Sequence, residues 1–589
     1  VSAPNRKGMG LGDAVLVWLA IGFIVVFGGG TYAALHLGSW MAGIDAPPAH
    51  PIDLIAGLIK GRVPWPTEAT VVACLMAGVV LALTIVVLVA WRKGASKRAR
   101  VDKGARYLGR GKSLAAFSEK GAKATAERLG VKDIAGIVVG KVVSTGQKFI
   151  QSWEDLSIDI WGPRTGKSTS RVMPAILDAP GAVVSTSNKR DVVDGTRGVR
   201  EAVAPVWVFD PQKIAQEEPD WWWNPLSYVT DEEKAYKLTQ HFSVGSRVPG
   251  SKPDAYFDPK AEDILSSYFL AAALGDLPIT QVYLWVTEQV NREPINILKT
   301  HDYELQYKGL ESTLELADKQ RDGIFGTAEK MIQCLKSRNT LRWVAPTGEA
   351  TVATDPRRQF NPHAFAASHE TIYILSKEGA GSAAPLTTAL TVAIAEAMEE
   401  RAERSGGRLP KPGVFALDEL ANVVRWAGLP DQYSHYGSKG IIIMGILQSW
   451  SQGVELWGEA GMRKIWSAAN VKVYGGGVAE EGFLRALSDL IGDYSYINVS
   501  TSSGKSGSSR SRQEGKERIF DVSNLAELDR GRAVVLASGA PATLIRTMPW
   551  YTGPHKEAVE ASIKKYSPRP EEPAVPVSAA PAVNPWVKK

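Results

Sequence analysis

Cysteine is almost absent from this chain: 589 residues contain two, Cys74 and Cys334. That excludes a disulfide framework and a cysteine-ligated zinc site. Both read as small buried hydrophobes. The eight histidines form no H-E-x-x-H or comparable cluster, so the zinc-hydrolase signature is lacking too. Nor is there a surplus of one charge: 68 basic and 62 acidic residues leave +6, which spread evenly says little about nucleic acid. What is plentiful is apolar material. At 44% it excludes wholesale disorder, and the length suggests roughly four domains.

Two long stretches lack acidic and basic side chains. One runs from Ala14 to Gly38, the other from Thr70 to Trp91. Each is long enough to cross about 30 Å of hydrocarbon as a helix. Trp18, Trp40, Trp65 and Trp91 lie near their ends, where interfacial indoles anchor. Arg6 and Lys7 precede the first stretch, and Arg92, Lys93, Lys97, Arg98 and Arg100 follow the second. The positive-inside rule then puts the N-terminus and the large C-terminal part in the cytoplasm. The expectation is a multi-pass protein of the cell membrane. Residues 92–112 hold nine basic side chains and one acid, so this segment alone carries +8. It suits a membrane-surface stripe on anionic lipid or a DNA-facing collar.

Farther on comes LSIDIWGPRTGKSTSRVMPAIL. A short apolar strand, Leu156 to Ile160, runs into a glycine-bearing turn and then a helix, the context a phosphate-binding loop requires. Backbone N–H groups of Gly162, Pro163, Arg164, Thr165, Gly166, Lys167, Ser168 and Thr169 (proline excepted) would face phosphate oxygens. Lys167 would reach the β and γ phosphates, and Ser168 would ligate Mg²⁺. The pattern G-x-x-x-x-G-K-[ST] asks for glycine where Trp161 stands. Its second half lies 251 residues beyond Lys167: GVFALDELANV carries Val414 to Leu417 into Asp418-Glu419. Asp418 would hold the metal, and Glu419 would orient or deprotonate the attacking water. GIIIMGIL, a buried strand, ends in Gln448, placed to sense the γ-phosphate. Residues 232–342 show helical periodicity with few strand signals and read as an all-α domain inserted in the α/β core. Trp221, Trp222 and Trp223 read as core. STSSGKSGSSRSRQEGKER, 500–518, reads as a mobile basic loop. The layout expected is a membrane hairpin (1–91, spans 14–38 and 70–91), a basic segment (92–112), a split α/β ATPase (113–231 and 343–553), the helical insertion (232–342) and a Pro/Ala-rich disordered tail (554–589).

Taken together, WGPRTGKST, VFDP followed by WNPL, FALDELANV, GIIIMGILQSWSQ, ANVKVYGG and LSDLIGDY resemble the type IV coupling proteins, the membrane ATPases of conjugative DNA transfer. The resemblance covers most of the chain. It implies a RecA-like P-loop motor with an inserted all-α domain, behind a two-helix transmembrane hairpin. It further implies ATP and Mg²⁺, a hexameric ring, and the delivery of a relaxase-bound single DNA strand to a type IV secretion channel. Glu419, Lys167 and Gln448 would carry the chemistry. A ring ATPase also needs a cation reaching a neighbour's γ-phosphate. The family's trans-acting arginine would fall in SHYGSKG, which has none, leaving Lys439, Arg463 and Arg485 as candidates. Export of protein by the same fold, and a non-hydrolysing docking platform, are the rival readings.

Overall fold

The strands around the phosphate-loop motif are short apolar runs buried on both faces, as strands covered by helices on each side must be. The computed structural model describes residues 28–95, 99–132, 134–248, 251, 253–377, 379, 382–504 and 507–568. They form two compact units, residues 103–491 with 520–568, and 28–102 with 492–519.

The larger unit is built on one sheet. Its strands are β1 (Ile137–Val142), β2 (Lys148–Gln151), β3 (Ser157–Ile160), β4 (Val183–Ser187), β5 (Val206–Phe209), β8 (Thr371–Leu375), β9 (Gly413–Leu417), β10 (Ile441–Leu447), β11 (Val471–Tyr474), β14 (Arg532–Ala537) and β15 (Thr543–Arg546). Outside it, β6 (Trp221–Trp222) pairs with β7 (Arg358–Gln359), and in the other unit β12 (Asp493–Gly504) pairs with β13 (Gly507–Arg518). The order across the large sheet is β2-β1-β15-β14-β11-β3-β10-β9-β4-β8-β5. From β11 to β5 all neighbours are parallel, and from β11 outward through β14, β15, β1 and β2 they are antiparallel. The fold is thus the RecA-like α/β fold expected, extended on one side by a meander. Parallel pairing brings the C-terminal ends of β3, β10 and β9 to one edge, where ligands of open α/β sheets bind.

The inserted segment is helical, as its periodicity predicts. It includes α1 (Glu232–Ser246), α2 (Phe257–Leu274), α3 (Ile279–Thr287) and α4 (Asp318–Met331). Phe242, Tyr268, Phe269, Trp285 and Phe325 are buried in its core. The helix α5 (Ala384–Arg404) follows β8 and packs on α1. The tryptophan run is core: Trp221 to Trp223 are buried among Trp207, Trp343 and Phe360.

In the smaller unit, the helix Thr67–Ala95 contains the stretch Thr67–Val86, apolar and long enough to cross a membrane, and Val71, Leu75, Val79 and Leu83 are exposed on it. Most of the predicted first span, 14–38, lies outside the described residues; 28–41 is helical. Cys74 is exposed on the long helix, so only Cys334 meets the expectation of burial.

Two further expectations change. The stretch 500–518, read as a mobile loop, belongs to the β12–β13 hairpin, paired without interruption from Asp493–Arg518 to Gly504–Gly507. Serine-rich composition masked the period of two: Arg512, Lys516 and Arg518 fall on one face, Ser511 and Gln513 on the other. Part of the expected tail, 554–589, is helical. Val559 and Ile563, four residues apart, share one face of a helix, and through it the helix Lys556–Tyr566 docks on the helix Asp191–Glu201. There Ser562 Oγ donates to Asp194 O at 2.6 Å and accepts from Gly198 N at 2.9 Å. Residues 569–589 lie outside the described residues.

Candidate nucleotide site

All four residues of β3 are buried, and the chain stays in the sheet two residues past it. Trp161 N donates to Leu447 O at 2.9 Å, Gly475 N to Ile160 O at 3.0 Å and Gly162 N to Gly476 O at 2.9 Å. Trp161 therefore continues the line of the strand rather than opening the loop. Its indole is fully buried and lies against Gly475, where a Cβ would stand 2.0 Å from the ring. Room that the loop pattern ordinarily finds in its first glycine is supplied here by the neighbouring strand end.

Past Gly162 the loop turns sharply. Arg164 and Gly166 take positive φ, 58° and 93°, and Thr165 Oγ1 donates to Gly162 O at 2.5 Å. Gly162 has no space for a side chain, since a Cβ would meet Gly477 O at 2.1 Å. Arg530 donates to the carbonyl of Arg164. The helix opens at Lys167 with a π-helical turn, Ser168–Val172, before becoming α over Met173–Leu177. Beneath it, Arg171 is fully buried and ion-paired to Asp159 on β3, with Nε at 2.7 Å from Oδ2. Gln151 and Ser157 also accept from its guanidinium.

Opposite the loop, β9 ends at Leu417 and runs into two carboxylates. Successive side chains of an extended strand point to opposite faces. Glu419 breaks that rule by taking a left-handed conformation, φ 58° and ψ 43°, which brings both acids to the same ligand. Lys167 Nζ lies 3.2 Å from Asp418 Oδ1 and also pairs with Glu419 Oε1. Ser168 Oγ donates to Asp418 Oδ2 at 3.0 Å. Gln448 Nε2 and Asn422 Nδ2 donate to Glu419 Oε2 at 2.7 and 3.2 Å. Both carboxylates are 3% exposed. Burial, with Glu419 beside it, holds Asp418 above the usual carboxylate range against the pull of Lys167. For Lys167 burial acts downward, but the two acids outweigh it and its pKa rises.

The fold thus links Lys167, Ser168, Asp418, Glu419 and Gln448 in one network of ion pairs and hydrogen bonds. Lys439 stands before the other end of β10, about 20 Å away along a seven-residue strand, held by Glu399 and Glu403. Arg463 and Arg485 are exposed and paired one turn away with Glu459 and Glu481. Sequence reasoning missed Asn422, although three residues past Glu419 is helical spacing. It also missed the loop after β11. That loop touches Gly162 and Thr165 through Gly477, and through Glu480 it accepts from Trp450 N and Ser451 N. Those N–H groups open α6 (Trp450–Ala468), the helix that follows Gln448.

The donor set fits a hard cation sharing a phosphate. Asp418 Oδ1 is buried and makes no hydrogen bond beyond its ion pair with Lys167, and Ser168 Oγ is bonded to the other oxygen of the same carboxylate. Among the described residues no cluster of three His, Cys, Asp or Glu could hold a metal by itself. Mg²⁺ is commonly bound in this way, by one or two protein oxygens plus phosphate and water.

Residues 412–530 match the family model described as the TraM recognition site of TraD and TraG. No curated protein matches the chain in sequence. Among solved structures, the unbound monoclinic form of the bacterial conjugative coupling protein TrwBdeltaN70 aligns with 72% of this chain and 91% of its own, at TM-score 0.51 and 15% identity. Its trigonal form with sulphate covers 67% and 86%, at TM-score 0.50 and 14% identity. The plasmid coupling protein TrwB in complex with ADP and Mg²⁺ covers 67% and 85%, at TM-score 0.48 and 14% identity. Residues 412–530 are thus similar to the TraM recognition site of TraD and TraG, and the chain shares the fold of a solved conjugative coupling protein, the fold that the resemblance to type IV coupling proteins implies.

Proposed function

We propose that this protein is a membrane-anchored ATPase that couples a relaxase-bound DNA strand to a type IV secretion channel and drives or licenses its transfer. The observation that carries the reading is the meeting of Lys167, Ser168, Asp418, Glu419 and Gln448 at one sheet edge, within a chain whose 412–530 match TraD and TraG. ATP would lie on the 162–169 loop. Ser168 and Asp418 would hold Mg²⁺, which neutralises charge on the phosphates. Lys167 exchanges Glu419 for the β and γ phosphates, and Glu419 is thereby freed to orient the attacking water and take its proton. Gln448, bonded to Glu419, links that carboxylate to α6.

The assembly proposed is a homo-hexamer with hydrolysis at subunit interfaces, the neighbour's cation coming from Lys439, Arg463 or Arg485. The exposed pairs of Arg463 and Arg485 exchange partners at little cost, since surface ion pairs contribute about 0–1 kcal/mol. DNA would be held through its phosphates rather than its base edges. The basic flanks support a membrane hairpin with both ends cytoplasmic.

The test is phosphate release by the full chain in nanodiscs, with and without single-stranded DNA, beside Glu419→Gln. DNA-stimulated turnover lost in the variant is expected. Turnover indifferent to DNA would point to protein cargo, and no turnover from a verified hexamer would leave a docking platform.

A further inference from the structure

We propose that the cavity between the inserted helical domain and the Gln448 end of the motor binds the phosphate backbone of single-stranded nucleic acid, through Arg425, Lys330 and Arg247. This rests on the function proposed above and gives it a contact site. The cavity encloses about 860 Å³, within the range of true ligand sites. Its walls come from separate elements: Arg247 just past α1, Lys330 on α4, Arg425 just past the helix Leu420–Val423, and Gln452 and Glu455 on α6. Three cations thus face one carboxylate, Glu455.

The pairing of these cations shows where an anion is wanted. Arg247 lies 3.2 Å from Asp258 and 4.0 Å from Glu262, so its charge is partly met. Arg425 has no ion-pair partner among the described residues; its Nη1 donates to Arg247 O at 2.6 Å, and its buried Nε has no acceptor. Burial pulls its pKa below the usual arginine value, with Glu455 acting against that and Arg247 with it. Lys330, exposed on the rim, has no ion-pair partner among the described residues either. A half-buried guanidinium with no counter-charge in contact is costly, and a phosphate oxygen would relieve it. Cations on three elements around so large a space suit successive phosphates of a strand, where one free phosphate would need a single compact cradle. Met331, Pro385 and Leu456 on the wall offer apolar contact without base-edge readout.

The placement also explains how cargo would be felt by the reaction. Asn422 and Gln448 line this cavity, and both donate to Glu419 Oε2. A strand in this cavity would therefore lie beside two side chains that hold Glu419, the carboxylate proposed to activate water.

The experiment uses the full chain in nanodiscs and a fluorescein-labelled oligo-dT, with anisotropy followed across a salt series. Each phosphate contact to a single strand contributes about 0.7 to the slope of log K against log salt. Removing two cations in Arg425→Ala/Lys330→Ala should flatten the slope by about 1.4. Glu455→Gln should tighten binding, a gain that misfolding does not produce. An unchanged slope in the double variant, or unchanged affinity in Glu455→Gln, overturns the assignment while leaving the proposed function standing. Displacement of the oligonucleotide by inorganic phosphate at matched ionic strength overturns it too, by marking a free-phosphate site. Absence of oligonucleotide binding by the unmodified chain overturns the proposed function itself.

Discussion

Replacing Glu419 by Gln should pull nucleotide affinity and turnover in opposite directions. In the structure Lys167 is ion-paired with Asp418 and Glu419, so phosphates must compete with a carboxylate for the ammonium. Hydrogen bonds to charged groups contribute about 1.5–3 kcal/mol. The amide of glutamine keeps an acceptor, and neutral bonds are about half as strong as charged ones, which leaves a loss of about 1–1.5 kcal/mol. Solvent screening takes little from this, because the Glu419 side chain is 4% exposed and that of Lys167 12%. The expected result is a nucleotide Kd lowered about five- to tenfold. Turnover should fall about 10²- to 10⁴-fold with loss of the base. A fluorescent-nucleotide titration gives the first quantity and phosphate release the second. A Kd that is unchanged or weaker would refute the competition between Glu419 and phosphate; unchanged turnover would refute the base.

Asp418 holds its proton above the usual carboxylate range, chiefly through burial. Its carboxyl therefore adds stability at low pH and loses it as the pH rises through the raised value. On the proposed reading, in which Asp418 would hold Mg²⁺, protons would compete with the ion there, so Mg²⁺-dependent nucleotide affinity should fall on acidification before ordinary carboxylates titrate; Asp418→Asn should remove both dependences, as isothermal titration at several pH values would show. Arg171→Met breaks a fully buried ion pair and should cost about 3–5 kcal/mol, with much of it returned in Arg171→Met/Asp159→Leu; denaturant midpoints decide. Gly475→Val places a Cβ 2.0 Å from the Trp161 ring and should cost about 1–3 kcal/mol by overpacking.

The residues of the candidate nucleotide site were largely legible because they lie in short contiguous runs. Gly166-Lys167-Ser168 and Asp418-Glu419 each follow a buried strand, and the fold needed only to bring the strand ends together. The helical insertion was legible from periodicity alone. What escaped depends on partners distant in the chain. Trp161 looked like a damaged phosphate loop until Gly475 appeared beneath its ring. The left-handed turn at Glu419 has no glycine to announce it. Arg171 and Asp159, twelve residues apart, carry no sequence signal of the fully buried ion pair they form. The β12–β13 hairpin was lost because serine and glycine suppress the hydrophobic alternation by which strands are recognised.

Trp161 and Gly475 share one volume, divided as ring on one side and bare backbone on the other. Neither position is free to vary alone. A related chain with glycine at 161 would leave a void unless its residue at 475 grew to fill it, and a chain enlarging 475 would have to give up the indole. Across related sequences the two positions should therefore exchange bulk in concert, so that an irregular first position in the phosphate loop comes with its compensation at the end of β11.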